Sequence, residues 1–265
     1  MRIKIASHSG FCFGVKRAIN IAENTLKRSG DKNNIYSLNP IIHNPQVVEE
    51  LSKKGLRVLR DPAKIKKGIV IISSHGNSVD VIGRLKKKGI RIVDATCPFV
   101  KHAQDIVKRL KKEEYKIIIA GDKKHPEVKA LLSIAGKKQG SGKIGVISQT
   151  TQSKAKYIKS IVKILNDDFS EVRIFNTICS DTSHRQAVAR GLIKECDVMI
   201  VVGGRNSANT RRLWQICKES GVDSYHIETE VDLKKGWFSS KKYAGVVSGA
   251  STPESTVKKV TQKIS

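Results

Sequence analysis

Short runs of β-branched residues recur along the chain and alternate with stretches of helical period. "IKIA" (3–6), "NIYSL" (34–38), "IVIIS" (69–73), "IRIV" (90–93), "KIIIA" (116–120), "IGVIS" (144–148), "EVRIF" (171–175), "DVMIVV" (197–202) and "AGVVS" (244–248) predict strands. They are short and often apolar on both faces. Strands of that kind, separated by helices, predict an α/β fold with parallel sheets covered on both sides. No proline-rich or low-complexity stretch divides the chain.

The pattern also repeats. Cys12, Cys97 and Cys179 each follow an apolar strand and precede a helix, with gaps of 85 and 82 residues. His43, His125 and Ser207 form a second series with gaps of 82 and 82, and His75, Thr150 and Ser251 a third, less regular one. Each repeat holds three strand–loop–helix units and ends at a cysteine. The expected domains are therefore 12–97, 98–179 and 180–265. The last lacks its final strand, which the N-terminal segment 1–11 would supply on its way to Cys12. The expectation is three similar α/β domains with small parallel sheets, closed in a pseudo-threefold ring.

The strand-to-helix junctions suggest chemistry. Pro45, Pro98, Pro126 and Pro253 sit where a first helical residue belongs, with Asn44 and Thr252 as N-caps before two of them. A helix N-terminus carries unpaired N–H groups and partial positive charge, so several such ends aimed at one centre would bind a phosphate or diphosphate. The same position lowers a thiol pKa, and three thiolates meeting at one centre could hold a metal cluster with one iron left open. There is no CxxC spacing. Cys196, beside "DVMIVV", and Cys217, in "RLWQICKES", read instead as small buried hydrophobes. A lone His-Pro-Glu is most simply a capping histidine; the matched spacing of three loop series is what argues for a shared central site.

Composition narrows the class. Five cysteines in 265 residues are an odd number in a long chain, which argues against a secreted disulfide framework. Lys and Arg number 50 against 24 acidic residues, a formal charge of +26. The lysines are spread over nearly every helical segment and accompany no stacking aromatics, which argues against nucleic acid as the main partner and for anionic small molecules or acidic proteins. No apolar run approaches the ~18 residues of a membrane helix and "MRIKIASHSG" is no signal peptide, so the expected compartment is the cytoplasm. A zinc hydrolase using His75, His125 and a cysteine is a competing reading, but it lacks a compact motif such as HExxH.

At these residues the chain resembles the 4-hydroxy-3-methylbut-2-enyl diphosphate reductase family. The resemblance rests on "GFCFGVKRAI", "IIHNPQVV", "SSHGNS", "VDATCPFV", "HPEV", "SQTT", "NTICSDTSHRQ", "GGRNSANT" and "SGASTPE", in the family's order and over essentially the whole chain. It implies an oxidoreductase of the methylerythritol phosphate route to isoprenoids: a cloverleaf of three α/β domains around a 4Fe–4S cluster. By motif, Cys12, Cys97 and Cys179 would hold three irons, and the fourth would take the substrate's terminal hydroxyl. Thr150 would lie near that hydroxyl and Glu127 would deliver protons. His43, His75, His125, Ser207, Asn209 and Ser251 would surround the diphosphate. The products would be isopentenyl and dimethylallyl diphosphate, and the electron donor an acidic ferredoxin or flavodoxin. Three departures stand out: Ala208 replaces a family serine in "NSAN", "VVSGAS" replaces "VTAGAS", and the "GQ" that usually follows "HPEV" is not obvious in "KALLSIAGKKQG". Burial would raise the pKa of Glu127 and helix N–H groups would lower it; the sequence leaves that balance open.

Overall fold

The computed structural model describes residues 1–29, 34–137, 140 and 142–265. Its strands are β1 (Arg2–Ile5), β2 (Ile35–Leu38), β3 (Arg57–Leu59), β4 (Ile69–Ile72), β5 (Arg91–Asp94), β6 (Lys116–Ala120), β7 (Lys143–Ser148), β8 (Glu171–Ile174), β9 (Val198–Val202), β10 (Asp223–Ile227) and β11 (Tyr243–Ser248). The helices are α1 (Phe13–Arg28), α2 (Pro45–Lys53), α3 (Val79–Lys87), α4 (Pro98–Lys112), α5 (Pro126–Ala135), α6 (Lys154–Ile164), α7 (Ser180–Ile193), α8 (Ala208–Glu219) and α9 (Glu254–Ile264). All strand pairs described are parallel, so the protein is α/β with small parallel sheets.

Close contacts gather the chain into two compact units. The first joins Met1–Phe13, His43–Pro45 and Cys179–Ser265 around a four-stranded sheet ordered β1-β11-β9-β10. Strand β1 adds to β11 from Arg2 opposite Tyr243 to Ile5 opposite Val246, so the N-terminal segment completes this sheet. Strand β9, "VMIVV", is buried at every position because helices cover both faces. Val198, Ile200 and Val202 pack with Val257 and Val260 of α9. Met199 and Val201 pack with Leu213 and Cys217 of α8.

The second unit, Gly14–Ile42 and Gln46–Ile178, holds two sheets, ordered β3-β2-β4-β5 and β6-β7-β8. Helix α4 shows why these residues form this element. Pro98 opens it, basic residues Arg109, Lys111 and Lys112 sit in its last turn, and Val100, Ala103, Ile106, Val107 and Leu110 form one buried stripe. Burying each large member of that stripe contributes about 1.5–3 kcal/mol before entropy is counted. A side chain at Gly145 on β7 would strike Leu110, so glycine lets α4 lie close on the sheet.

All nine expected strands are present, with ends within one residue. Two further strands, β3 and β10, were not expected. Both are sheet edges with polar or exposed positions, "RVL" and "DSYHI", so neither shows a buried apolar run. Helix α9 begins at Glu254, one residue later than expected, with Pro253 as its cap. The Thr252 hydroxyl donates instead to Val202 O at 3.0 Å.

Candidate functional site

Every predicted cysteine and every residue of the two polar series lies in a loop beyond the carboxyl end of a parallel strand, where open α/β sheets place their ligands. The order is the same in all three sheets. From β2 through β4 to β5 the loops carry His43, His75 and Cys97; from β6 through β7 to β8 they carry His125, Thr150 and Cys179. From β9 through β11 to β1 they carry Ser207, Ser251 and Cys12. Each cysteine thus follows an edge strand, and the extra strands β3 and β10 carry no candidate.

In the first unit, Cys12 is anchored by its N–H to Ala250 O at 3.0 Å, and Cys179 is the N-cap of α7. A buried arginine ties these two segments together. Arg185, 4% exposed, donates to His8 O at 2.8 Å, Gly10 O at 2.9 Å and Ser248 O at 3.2 Å. Its Nε donates to Asp181 Oδ2 at 2.7 Å, one turn earlier on α7. Planar, forked donors suit this joint reading of carbonyls and a carboxylate. Sequence reasoning missed Arg185. The signal was the Asp–Arg spacing inside "SDTSHRQ", but such pairs usually lie on solvated faces.

The polar loops of the same unit meet around the start of α8. Ser207 caps it, its hydroxyl accepting from Thr210 N at 3.3 Å. Ser251 donates to His43 O at 3.2 Å. Burial, then the positive charge of Arg211, hold the His43 imidazole down to about 4, so it is neutral near pH 7. Asn209 is 4% exposed, and neither atom of its amide has a hydrogen-bond partner among the described residues. A buried amide left unpaired is costly, so Asn209 has hydrogen-bonding capacity to offer. Gly203 and Gly249 admit this arrangement. A Cβ at either would collide with Thr210, and Gly203 also has φ +146°, a conformation that favours glycine.

In the second unit, Cys97 is the N-cap of α4, and its N–H bonds Ser74 O at 3.0 Å. The preceding turn is fixed by Thr96 N donating to Asp94 Oδ1 at 2.9 Å and Arg17 donating to Thr96 O at 3.1 Å. The His75 and His125 rings meet edge to face, centroids 5.3 Å apart. His125 caps α5, its Nδ1 accepting from Glu127 N at 3.2 Å. When neutral, this ring therefore carries its proton on Nε2, as a donor.

Glu127 is 1% exposed and locked to Thr150, whose N–H donates to Oε1 at 2.7 Å. The Thr150 Oγ1 lies 2.9 Å from Oε2. Desolvation outweighs both hydrogen bonds and raises the carboxyl to about 7. Gln149, also unforeseen, braces this corner by accepting from Asp122 N at 3.0 Å and donating to Thr151 Oγ1 at 2.9 Å. Ahead of Cys179, Thr177 clips the loop to the end of β7: Ser148 N donates to its hydroxyl at 2.8 Å.

The three candidate thiols are the ligand type that an iron–sulfur cluster takes. Cys12, Cys97 and Cys179 are half-buried thiols, none in a disulfide, and two of them cap helices without using the side chain. Cys196 and Cys217 are buried, and desolvation pushes the Cys217 thiol up to about 12, so it stays protonated. No helix among the described residues is long and apolar enough to cross a membrane.

Comparison with known proteins places the whole chain. A family model described as LytB protein matches residues 3–265. The 4-hydroxy-3-methylbut-2-enyl diphosphate reductase of Syntrophotalea carbinolica is 43% identical, over 100% of this chain and 99% of its own length. That of Aquifex aeolicus is 41% identical over 99% and 95%. A solved structure of (E)-4-hydroxy-3-methyl-but-2-enyl diphosphate reductase, the terminal enzyme of the non-mevalonate pathway, has a TM-score of 0.70 at 40% identity and covers 100% of this chain and 99% of that one. The E-1-hydroxy-2-methyl-but-2-enyl-4-diphosphate reductase from Plasmodium falciparum gives 0.91 at 29% identity, over 98% and 87%.

Proposed function

The chain belongs to the LytB protein family, and from that premise we propose how its own residues carry out the family's reduction of 4-hydroxy-3-methylbut-2-enyl diphosphate. The reaction is the last step of the non-mevalonate route: the terminal hydroxyl leaves as water, and two electrons and two protons yield isopentenyl or dimethylallyl diphosphate. The observation that carries the reading is the common order of the three sheets, each with two polar loops followed by a cysteine.

Cys12, Cys97 and Cys179 would hold a 4Fe–4S cluster. Such a cluster supplies electrons one at a time and a Lewis-acidic iron for the substrate hydroxyl. Burial pushes the Cys196 and Cys217 thiols up, which keeps them protonated and makes them poorer ligands than the half-buried three.

The diphosphate is held by donors. Ser207, Asn209 and the first N–H groups of α8 offer hydrogen bonds to phosphate oxygens, and Ser251 would join them on releasing His43 O. The orphaned amide of Asn209 supports this assignment, because a ligand would satisfy it. His125, with its proton on Nε2, is a directed donor, and His43 and His75 complete the set. Ala208 removes one hydroxyl from this loop, but its backbone N–H remains at the start of α8.

Glu127 is the proton donor, acting through Thr150. Because Thr150 N–H occupies Oε1, a proton on the carboxyl sits on Oε2 and faces the Thr150 hydroxyl. That hydroxyl then turns its own hydrogen outward, toward the leaving oxygen. A carboxyl near pH 7 suits a donor at neutral pH. The electron donor is an acidic carrier protein, which the +26 charge would attract at long range.

The test is iron and acid-labile sulfide per chain in anaerobically purified protein, beside Cys97→Ser. Near four of each in the parent, with marked loss in the variant, is expected. Negligible iron and sulfide after reconstitution would detach the chain from this chemistry.

A further inference from the structure

The chain has two tryptophans, Trp214 and Trp237, and aromatics make up only 5% of it. Both tryptophans line one cleft of about 710 Å³ in the first unit, beside the loop that leads to Ser207. Tyr225 stacks on Trp237 with centroids 4.0 Å apart and planes within 3°. Arg205, Arg211 and Lys234 add three cations, all exposed. The one carboxylate of the lining, Asp232, is already engaged: its Oδ2 accepts from Glu228 N at 2.8 Å and Thr229 N at 3.2 Å.

The cleft borders the loop assigned to the diphosphate. Its His226 Nε2 lies 2.8 Å from Gly203 O. A carbonyl only accepts, so the imidazole donates and anchors the first residue of the loop that leads to Ser207. Arg205, a member of that loop, is held by its N–H on Glu228 Oε1 at 2.8 Å.

We propose that this cleft is a second ligand site, for an aromatic anion of the nucleotide class. Volume, aromatic walls and surplus positive charge all match such a ligand: the cavity lies within the ~300–1,000 Å³ usual for small-molecule sites, flat rings offer stacking, and arginine and lysine bind phosphate. Neither a neutral ring nor a bare phosphate uses both halves of it. Through His226 and Arg205, an occupant biases the loop that carries Ser207. The inference is independent of the cluster and of the proton relay.

The test titrates the cluster-loaded full chain with ADP, in saturating substrate diphosphate and without any electron donor, so the substrate loops are filled and nothing turns over. Tryptophan emission reports on the cleft, because both tryptophans line it. The expected result is saturable quenching, weakened about tenfold in Trp237→Leu and in Lys234→Ala, the usual size of one lost stacking or charged contact. Adenosine and inorganic phosphate should each bind more weakly than ADP. Calorimetry repeats the measurement without optical interference, and the exposed Lys234 can be replaced without risk to folding. Absence of saturation, affinity unchanged in both variants, or displacement of ADP by the substrate would overturn the site. With an electron donor restored, ADP should shift KM in the parent and leave it unmoved in Trp237→Leu; a KM insensitive to ADP in the parent would overturn the coupling.

Discussion

Replacing Glu127 by glutamine removes one titrating group and little else. The side chain is 1% exposed, so the shape of the site should persist. A glutamine Oε1 can still accept from Thr150 N, and its amide can donate to Thr150 Oγ1 where the carboxylate accepted. The magnitude follows from linkage. A carboxyl raised from 4.5 to about 7 binds its proton more tightly in the folded state than in the unfolded chain. Its stabilisation is therefore full below pH 4.5 and is lost as pH rises through 7. At about 1.4 kcal/mol per pH unit, the loss is about 3 kcal/mol by pH 8. The neutral amide of Glu127→Gln has no such dependence. The variant should keep its iron, lose most turnover and resist urea better than the parent at pH 8, with the advantage vanishing below pH 4.5. The direct assay is infrared titration of the protonated carboxyl band, with the variant as blank. A midpoint near 7 supports the relay. A midpoint at or below 4.5, or full turnover in Glu127→Gln, would refute the argument that desolvation wins over the two Thr150 hydrogen bonds.

The remaining predictions address the scaffold. Arg185→Met strands three carbonyls and Asp181, so unfolding in urea should show a loss of about 3–5 kcal/mol, with iron retention falling in parallel. Asn209→Leu should separate folding from binding: stability holds or rises because an unpaired amide is gone, while KM for the diphosphate rises about tenfold or more. Gly203→Ala pushes a methyl into Thr210 and Thr252 at φ +146° and should cost more than about 2 kcal/mol, read as a drop in melting temperature. His43 has its folded pKa lowered to about 4, so its stabilisation is present above 6.5 and lost as pH falls toward 4. A urea series over that range should show the loss, and His43→Gln should abolish that part of the slope.

What the sequence determined was the local alternation and its repetition. Buried parallel strands need apolar side chains on both faces, so β4, β7, β9 and β11 announce themselves as continuous apolar runs. The three cysteines and the two polar series could be singled out as candidates because spacing is a one-dimensional property, and Glu127 because its motif resembles a family's. Edge strands bury less and can stay polar, which is why β3 and β10 were invisible. Tertiary structure decided the environments. That Glu127 loses its water, that the Arg185 guanidinium is sealed among three carbonyls, and that the Asn209 amide has no partner among the described residues depend on side chains far apart in the chain. So does the meeting of Trp214 and Trp237 in one cleft. Desolvation and close packing arise only when distant segments exclude water together, and no local pattern carries that information.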